Sequence, residues 1–388
     1  MLGRVAFRGQ NAPVVLKDDD LRRHLFIVGR TGSGKSVLLE NIARQRVVSG
    51  SGMVLIDPHG ELCDAVRRSV TGRRKNDVVL LDAADAAGNV FYNPLASVPG
   101  TDPSLLADGV LTAFSQVFGL DAASAPRLLH VFRNCLLTLA GRDGVTLADV
   151  TRLLHDELYR KTMAARCTND AVRAFWRDEF AKWNARERPL IVASLLNKLG
   201  PFTTSERLRH LLCNPRKSIS LRGVMDRRRL PLVNLSKGRV GHDASRLLGS
   251  LLLAGLHNAA MSRADVPESE RPDCTVLVDE VSGYLSKRNP TLAESLAELR
   301  KYRVSYVLAS QLLDGQLDAA TRTAVLGNVG SLVAMSVGPQ DAPLLAPLFG
   351  EDFPAARLSA TPRFHAYARL LIDGTPRTVT LRTEKPRD

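Results

Sequence analysis

Gly29-Arg30-Thr31-Gly32-Ser33-Gly34-Lys35-Ser36 decides the fold of this 388-residue chain. The stretch fits G-x-x-x-x-G-K-[ST], a loop whose backbone N–H groups wrap phosphates. Context separates such a loop from a chance glycine turn. The apolar run Leu25–Val28 enters it, and Val37–Val48 leaves it with helical spacing. That is the strand–loop–helix order the mechanism requires. The glycines free the backbone to form the nest, and the helix N-terminus adds partial positive charge. The segment from Gly29 to Val37 is therefore expected to bind a nucleoside triphosphate, ATP with Mg²⁺. Lys35 is expected to bridge the β- and γ-phosphates and the Ser36 hydroxyl to ligate the magnesium.

Working outward, short apolar runs alternate with helical stretches. Met53–Ile56 and Val78–Leu81 read as buried strands, and residues 3–17 as a short strand region with turns. From about 104 to 212 the periodicity is helical, with Leu105–Phe118, Arg127–Leu139, Leu147–Leu154 and Pro189–Leu199 as its clearest stretches. Strands resume at Leu230–Leu235, Thr275–Val278, Val304–Ala309 and Ser331–Val337, with helices over about Ser245–Met261 and Leu292–Tyr302. Ala366–Ile372 and Arg377–Arg382 around Asp373-Gly374 read as a hairpin. The expected class is α/β: a RecA-like P-loop NTPase with a parallel sheet flanked by helices, an all-helical insertion and a C-terminal β-hairpin. Residues 1–100 and 214–388 are assigned to the nucleotide-binding domain and 101–213 to the insertion.

Thr275–Val278 runs directly into Asp279-Glu280. Two carboxylates at the end of a buried strand are costly unless paired or metal-bound. Asp279 is expected in the magnesium shell, and Glu280 as the group that orients and deprotonates the attacking water. A helix-starting acid pair is the bland alternative. A glutamate here implies a sheet in which another strand, Val304–Ala309, lies between the Leu25 and Thr275 strands. Gln311, just beyond that strand, would then face the γ-phosphate as a sensor, or else cap the next turn. Asp57 ends the second strand, where it helps arrange the site or forms a turn. His59 has no partner legible in the sequence and receives no role.

The charge balance is 53 Lys+Arg against 40 Asp+Glu, a net +13. This points to a polyanionic partner, nucleic acid before an anionic membrane. An arginine-rich proteome would give the same surplus. The five cysteines form no CxxC pair, which argues against a zinc site or a disulfide framework. No apolar run spans a bilayer and no signal core precedes the first strand, so the chain is expected to be cytoplasmic, with any membrane recruitment left to a partner.

Taken together, His24–Ser36, Leu55–Leu62, Val233–Gly238, Val276–Glu280, Arg300–Gln311 and Gly327–Ala342 resemble the HerA/FtsK superfamily of DNA-pumping ATPases. The likeness is closest to the conjugative coupling proteins of type IV secretion (TraG/TraD-like) and soluble HerA-like translocases. It implies a homo-oligomer, a hexameric ring with ATP between subunits and DNA in its channel. It also implies a trans-acting arginine, matched here by Arg300, with Lys301 and Arg303 nearby. A relaxase, nuclease or secretion-channel component is the implied class of partner. Where relatives often carry Phe-Gln after the acidic pair, this chain has Val281-Ser282.

DNA contacts of a translocase are basic and sequence-independent. Lys237 and Arg239 in the loop from Ser236 to Gly241, and Lys287 with Arg288, are the candidates; a solvated surface turn is the alternative for each. Aromatic residues are 5% and do not interleave with these cations, which favours duplex backbone contact over base stacking. Two further readings are a motor that recruits or moves protein substrates and a nucleotide switch. Glu280 and Gln311 argue against the switch, which benefits from slow hydrolysis.

Overall fold

In the computed structural model, eleven strands form one sheet among the described residues. They are β1 (Gly3–Val5), β2 (Pro13–Val14), β3 (Leu25–Val28), β4 (Gly52–Asp57), β5 (Val78–Asp82), β6 (Leu230–Asn234), β7 (Cys274–Val278), β8 (Val304–Ser310), β9 (Ser331–Ala334), β10 (His365–Ile372) and β11 (Thr375–Arg382). The order is β2-β1-β11-β10-β9-β3-β8-β7-β4-β6-β5. The structure describes all residues except 1, 7–10, 185, 216–217, 285–289, 316 and 386–388.

The chain divides into two compact units: residues 1–80, 223–235 and 266–388, and residues 81–222 and 236–265. In the first, β3, β4, β6, β7, β8 and β9 are buried along their whole lengths. Such continuous apolar runs suit parallel strands covered on both faces. β3 pairs in parallel with both β8 and β9, and β7 with both β8 and β4. The strand expected between β3 and β7 is thus β8.

Register sets what stands at the strand ends. Val28 is level with Ser310, Val278 with Leu308, and Ile56 with Val278. Chain positions far apart in sequence therefore leave the sheet along one edge.

The C-terminal hairpin turns through Asp373 (φ 50°) and Gly374 (φ 75°), with Ile372 opposite Thr375. Two successive positive φ angles match the right-handed strand twist, which explains the Asp-Gly pair. The buried Asp20 carboxylate accepts from the N–H groups of both turn residues, each at 3.0 Å.

The second unit is helical. Its principal helices are Pro103–Phe118, Pro126–Leu139, Glu157–Ala165, Glu187–Thr204 and His242–Met261. Pro103 opens the first at a position needing no N–H donor, while Asp102 accepts from Ser104 N at 2.8 Å. This unit takes in residues 236–265, assigned from the sequence to the nucleotide-binding part. The reason is side-chain packing: a Cβ on Gly109 would lie 3.4 Å from Ala254 Cβ, and Asn258 Nδ2 donates to Leu105 O at 3.1 Å. Helix His242–Met261 is buried nearly all round, so its apolar periodicity did not reveal which neighbours it faces. None of the described helices is long and apolar enough to cross a membrane.

Candidate nucleotide-binding site

The loop Gly29–Ser36 leaves β3 and enters helix Lys35–Val48. Gly32 (φ 78°) and Gly34 (φ 115°) adopt backbone angles that side-chain-bearing residues resist. A Cβ on Gly34 would come within 2.8 Å of the Phe364 ring, so conformation and space both require glycine there. The Lys35 ammonium is buried and donates to the carbonyls of Gly29 at 2.5 Å and Arg30 at 3.1 Å, folding back over the loop. Burial lowers its pKa; Asp279 and Glu280 pull the other way.

Thr31, Lys35, Ser36, His59, Asp279, Glu280 and Gln311 line one cleft of about 250 Å³. Asp279 follows β7, and its N–H bonds Ile56 O on β4 at 3.0 Å. Its carboxyl is raised to about 6, first by burial and then by the neighbouring Asp57. Asp57 is itself 1% exposed and accepts from His59 N at 2.8 Å and Cys63 N at 3.0 Å, so its side chain holds the turn after β4. Stacking two carboxyls in a buried place costs free energy that a cation offsets. The donors facing the cleft, a hydroxyl on Ser36 and a carboxylate on Asp279, are the hard oxygen ligands magnesium prefers. The residues present therefore fit Mg²⁺ with a triphosphate.

Glu280 sits at φ 48°, a left-handed backbone that a non-glycine residue adopts at a cost. Its Oε1 accepts from Gln311 Nε2 and lies 3.1 Å from His59 Nε2. Gln311 Oε1 in turn accepts from Thr31 Oγ1 at 3.1 Å, joining the acidic pair to the phosphate loop. His59 thus has the partner that the sequence did not show. Nothing local announces it, because Glu280 lies 221 positions away and reaches His59 only through the β4–β7 pairing.

Arg363 and Phe364 also line the cleft and were missed. They precede β10 in a stretch with no motif.

Arg300 is exposed, on a 3₁₀ turn Leu299–Tyr302 after the helix Pro290–Glu298, and does not line the cleft of its own chain. Arg303 ends that turn at φ 55°, and its Nη1 donates to Arg271 O at 3.4 Å. In the helical unit, Lys237 and Arg239 lie on one helical turn, Lys237–Val240, rather than an open loop, because Ser236 O accepts from Arg239 N at 2.6 Å and Val240 N at 3.1 Å. Arg239 is exposed. Lys287 and Arg288 lie outside the described residues.

Residues 1–96 match the family model for the central domain of helicase HerA. No curated protein matches the sequence. Among solved structures, the chain is similar to the bacterial conjugative coupling protein TrwBdeltaN70 with sulphate, at 17% identity and a TM-score of 0.68, over 99% of this chain and 90% of that one. TrwB in complex with ADP and Mg²⁺ gives the same TM-score, 0.68, at 17% identity and the same coverage of 99% and 90%. VirB4 of Thermoanaerobacter pseudethanolicus matches at 16% identity and a TM-score of 0.66, over 99% of this chain and 95% of that one. The resemblance to HerA/FtsK-type P-loop proteins is thus carried by sequence over the first quarter of the chain, and by a RecA-like fold shared with the coupling proteins along its whole length.

Proposed function

We propose that the chain is an ATP-hydrolysing motor subunit that moves DNA. The observation that carries the ATPase part is the convergence of Lys35, Ser36, Asp279, Glu280 and Gln311 on one cleft at the edge where β3, β7 and β8 end. The loop amides and the Lys35 ammonium hold the phosphates. Ser36 and Asp279 would hold magnesium, which would supply positive charge to the phosphate oxygens. Glu280 takes a proton from the attacking water as the water oxygen bonds the γ-phosphorus and the bond from phosphorus to the β–γ bridging oxygen breaks, releasing the nucleoside diphosphate. Gln311 and His59 fix the Glu280 carboxylate, and Gln311 also reaches Thr31, so a γ-phosphate in the loop competes for a group that holds the base.

The motor part rests on the net charge of +13, the fold shared with coupling proteins, and Arg300. An exposed arginine that does not line its own cleft is suited to a neighbour's cleft in a hexameric ring. Lys237 and Arg239 are the proposed DNA contacts. ATP turnover measured with and without duplex DNA across salt concentrations tests the reading. Stimulation that fades as salt rises supports DNA as cargo. Indifference to DNA combined with stimulation by a protein partner replaces it with a protein-substrate motor.

A further inference from the structure

The site described so far accounts for the phosphates and the metal and leaves the nucleoside unassigned. The sheet order sets what stands on either side of the phosphate loop. β8 and β7, which lead into Gln311 and the acidic pair, flank β3 on one side; β9 and β10 flank it on the other. Val28 is level with Ala334 on β9, and Ala334 with Tyr367 on β10. Because β10 runs antiparallel to β9, the residues before Tyr367 continue past the end of β3 to the phosphate loop. There Phe364 N–H donates to Ser33 O at 2.9 Å, and Phe364 O accepts from Thr383 N at 2.8 Å. Its ring abuts Gly34, its φ is 64°, and the Arg363 guanidinium lies 4.7 Å from its centroid. Phe364 is half-buried and Arg363 exposed, and both face the cleft.

A bulky residue rarely adopts a left-handed backbone without reason. Here that backbone turns an aromatic ring toward the loop on the side away from Asp279 and Glu280. We propose that Arg363 and Phe364 form the platform for the nucleoside of the bound triphosphate, a planar cation on an aromatic ring against which the base and ribose lie. This rests on the nucleotide reading above, which it extends from the phosphates to the nucleoside.

Calorimetric titration of the full chain, with magnesium and either a non-hydrolysable ATP analogue or inorganic tripolyphosphate, tests it. Arg363→Ala and Phe364→Leu are each expected to weaken the ATP analogue roughly tenfold, leaving tripolyphosphate within about twofold of wild type. Phe364→Tyr, which keeps the ring, is expected to bind both as wild type does. Unchanged analogue binding in both variants overturns the platform while the nucleotide reading stands. Parallel loss of both ligands overturns it too, since the pair would then only shape the loop. If the wild-type chain binds neither ligand, the nucleotide reading itself falls and the platform with it.

Discussion

The imidazole of His59, on the turn after β4, lies 3.1 Å from the Glu280 carboxylate, just beyond β7. Gln311 reaches the same oxygen from just beyond β8. A carboxylate held from two sides suits the base role proposed for it, because it loses little orientation freedom when water attacks. Glu280→Gln is expected to bind ATP normally and to lower turnover roughly a hundredfold or more. His59→Ala is expected to lower kcat several-fold with little change in KM. Steady-state kinetics with a separate binding titration reads both. A raised KM with unchanged kcat in His59→Ala would remove it from the base.

Lys35 gives up much of its solvation to sit against the Gly29 and Arg30 carbonyls. That cost is worth bearing only if phosphate arrives. A non-hydrolysable ATP analogue with magnesium, at about a hundred times Kd, should stabilise the wild-type fold by about 2.7 kcal/mol. Lys35→Ala should show no such rise in thermal midpoint.

Gly32 and Gly34 separate two reasons for glycine. Both have positive φ, but a Cβ on Gly32 meets nothing within 4 Å, whereas one on Gly34 meets Phe364 at 2.8 Å. Gly32→Ala should therefore cost about 1 kcal/mol of backbone strain. Gly34→Ala should also displace the ring and weaken nucleotide binding further. Equal affinities in the two variants would show the contact to be immaterial.

Arg300 and Arg303 lie three residues apart in different settings. Arg300→Ala should bind nucleotide as wild type does, yet lose roughly a thousandfold in hydrolysis once assembled. Arg303→Ala breaks the bond to Arg271 O and should lower the thermal midpoint with a smaller effect on rate. Doping Arg300→Ala subunits into wild-type protein should depress turnover beyond simple dilution.

His24 begins the approach to β3 and is almost wholly buried. Its Nδ1 accepts from Tyr306 N at 3.0 Å, and its Nε2 lies 2.9 Å from Leu296 O. Burial depresses its pKa from 6.5 to about 4. Below 6.5 the unfolded chain takes up a proton that the folded chain refuses until about pH 4. Stability contributed by neutral His24 is thus present above 6.5 and lost as pH falls toward 4. Between pH 8 and 5 the loss is about 2 kcal/mol. Denaturant midpoints for wild type and His24→Gln should therefore converge as pH drops from 8 to 5.

What the sequence determined by itself were features that a few neighbouring residues specify. The phosphate loop, the buried runs of β3, β7 and β8, and the Asp-Gly hairpin turn depend on local backbone angles and on apolar spacing, both readable along the chain. The placement of Gln311 followed too, because a glutamate after Asp279 implied which strand lies between. Tertiary structure alone decided which residues meet across strands. His59 reaches Glu280, and Phe364 reaches Gly34, through sheet register, which no local pattern encodes. Helix His242–Met261 joined the helical unit for a related reason: an element apolar on nearly every face carries no stripe to say which neighbour it packs against.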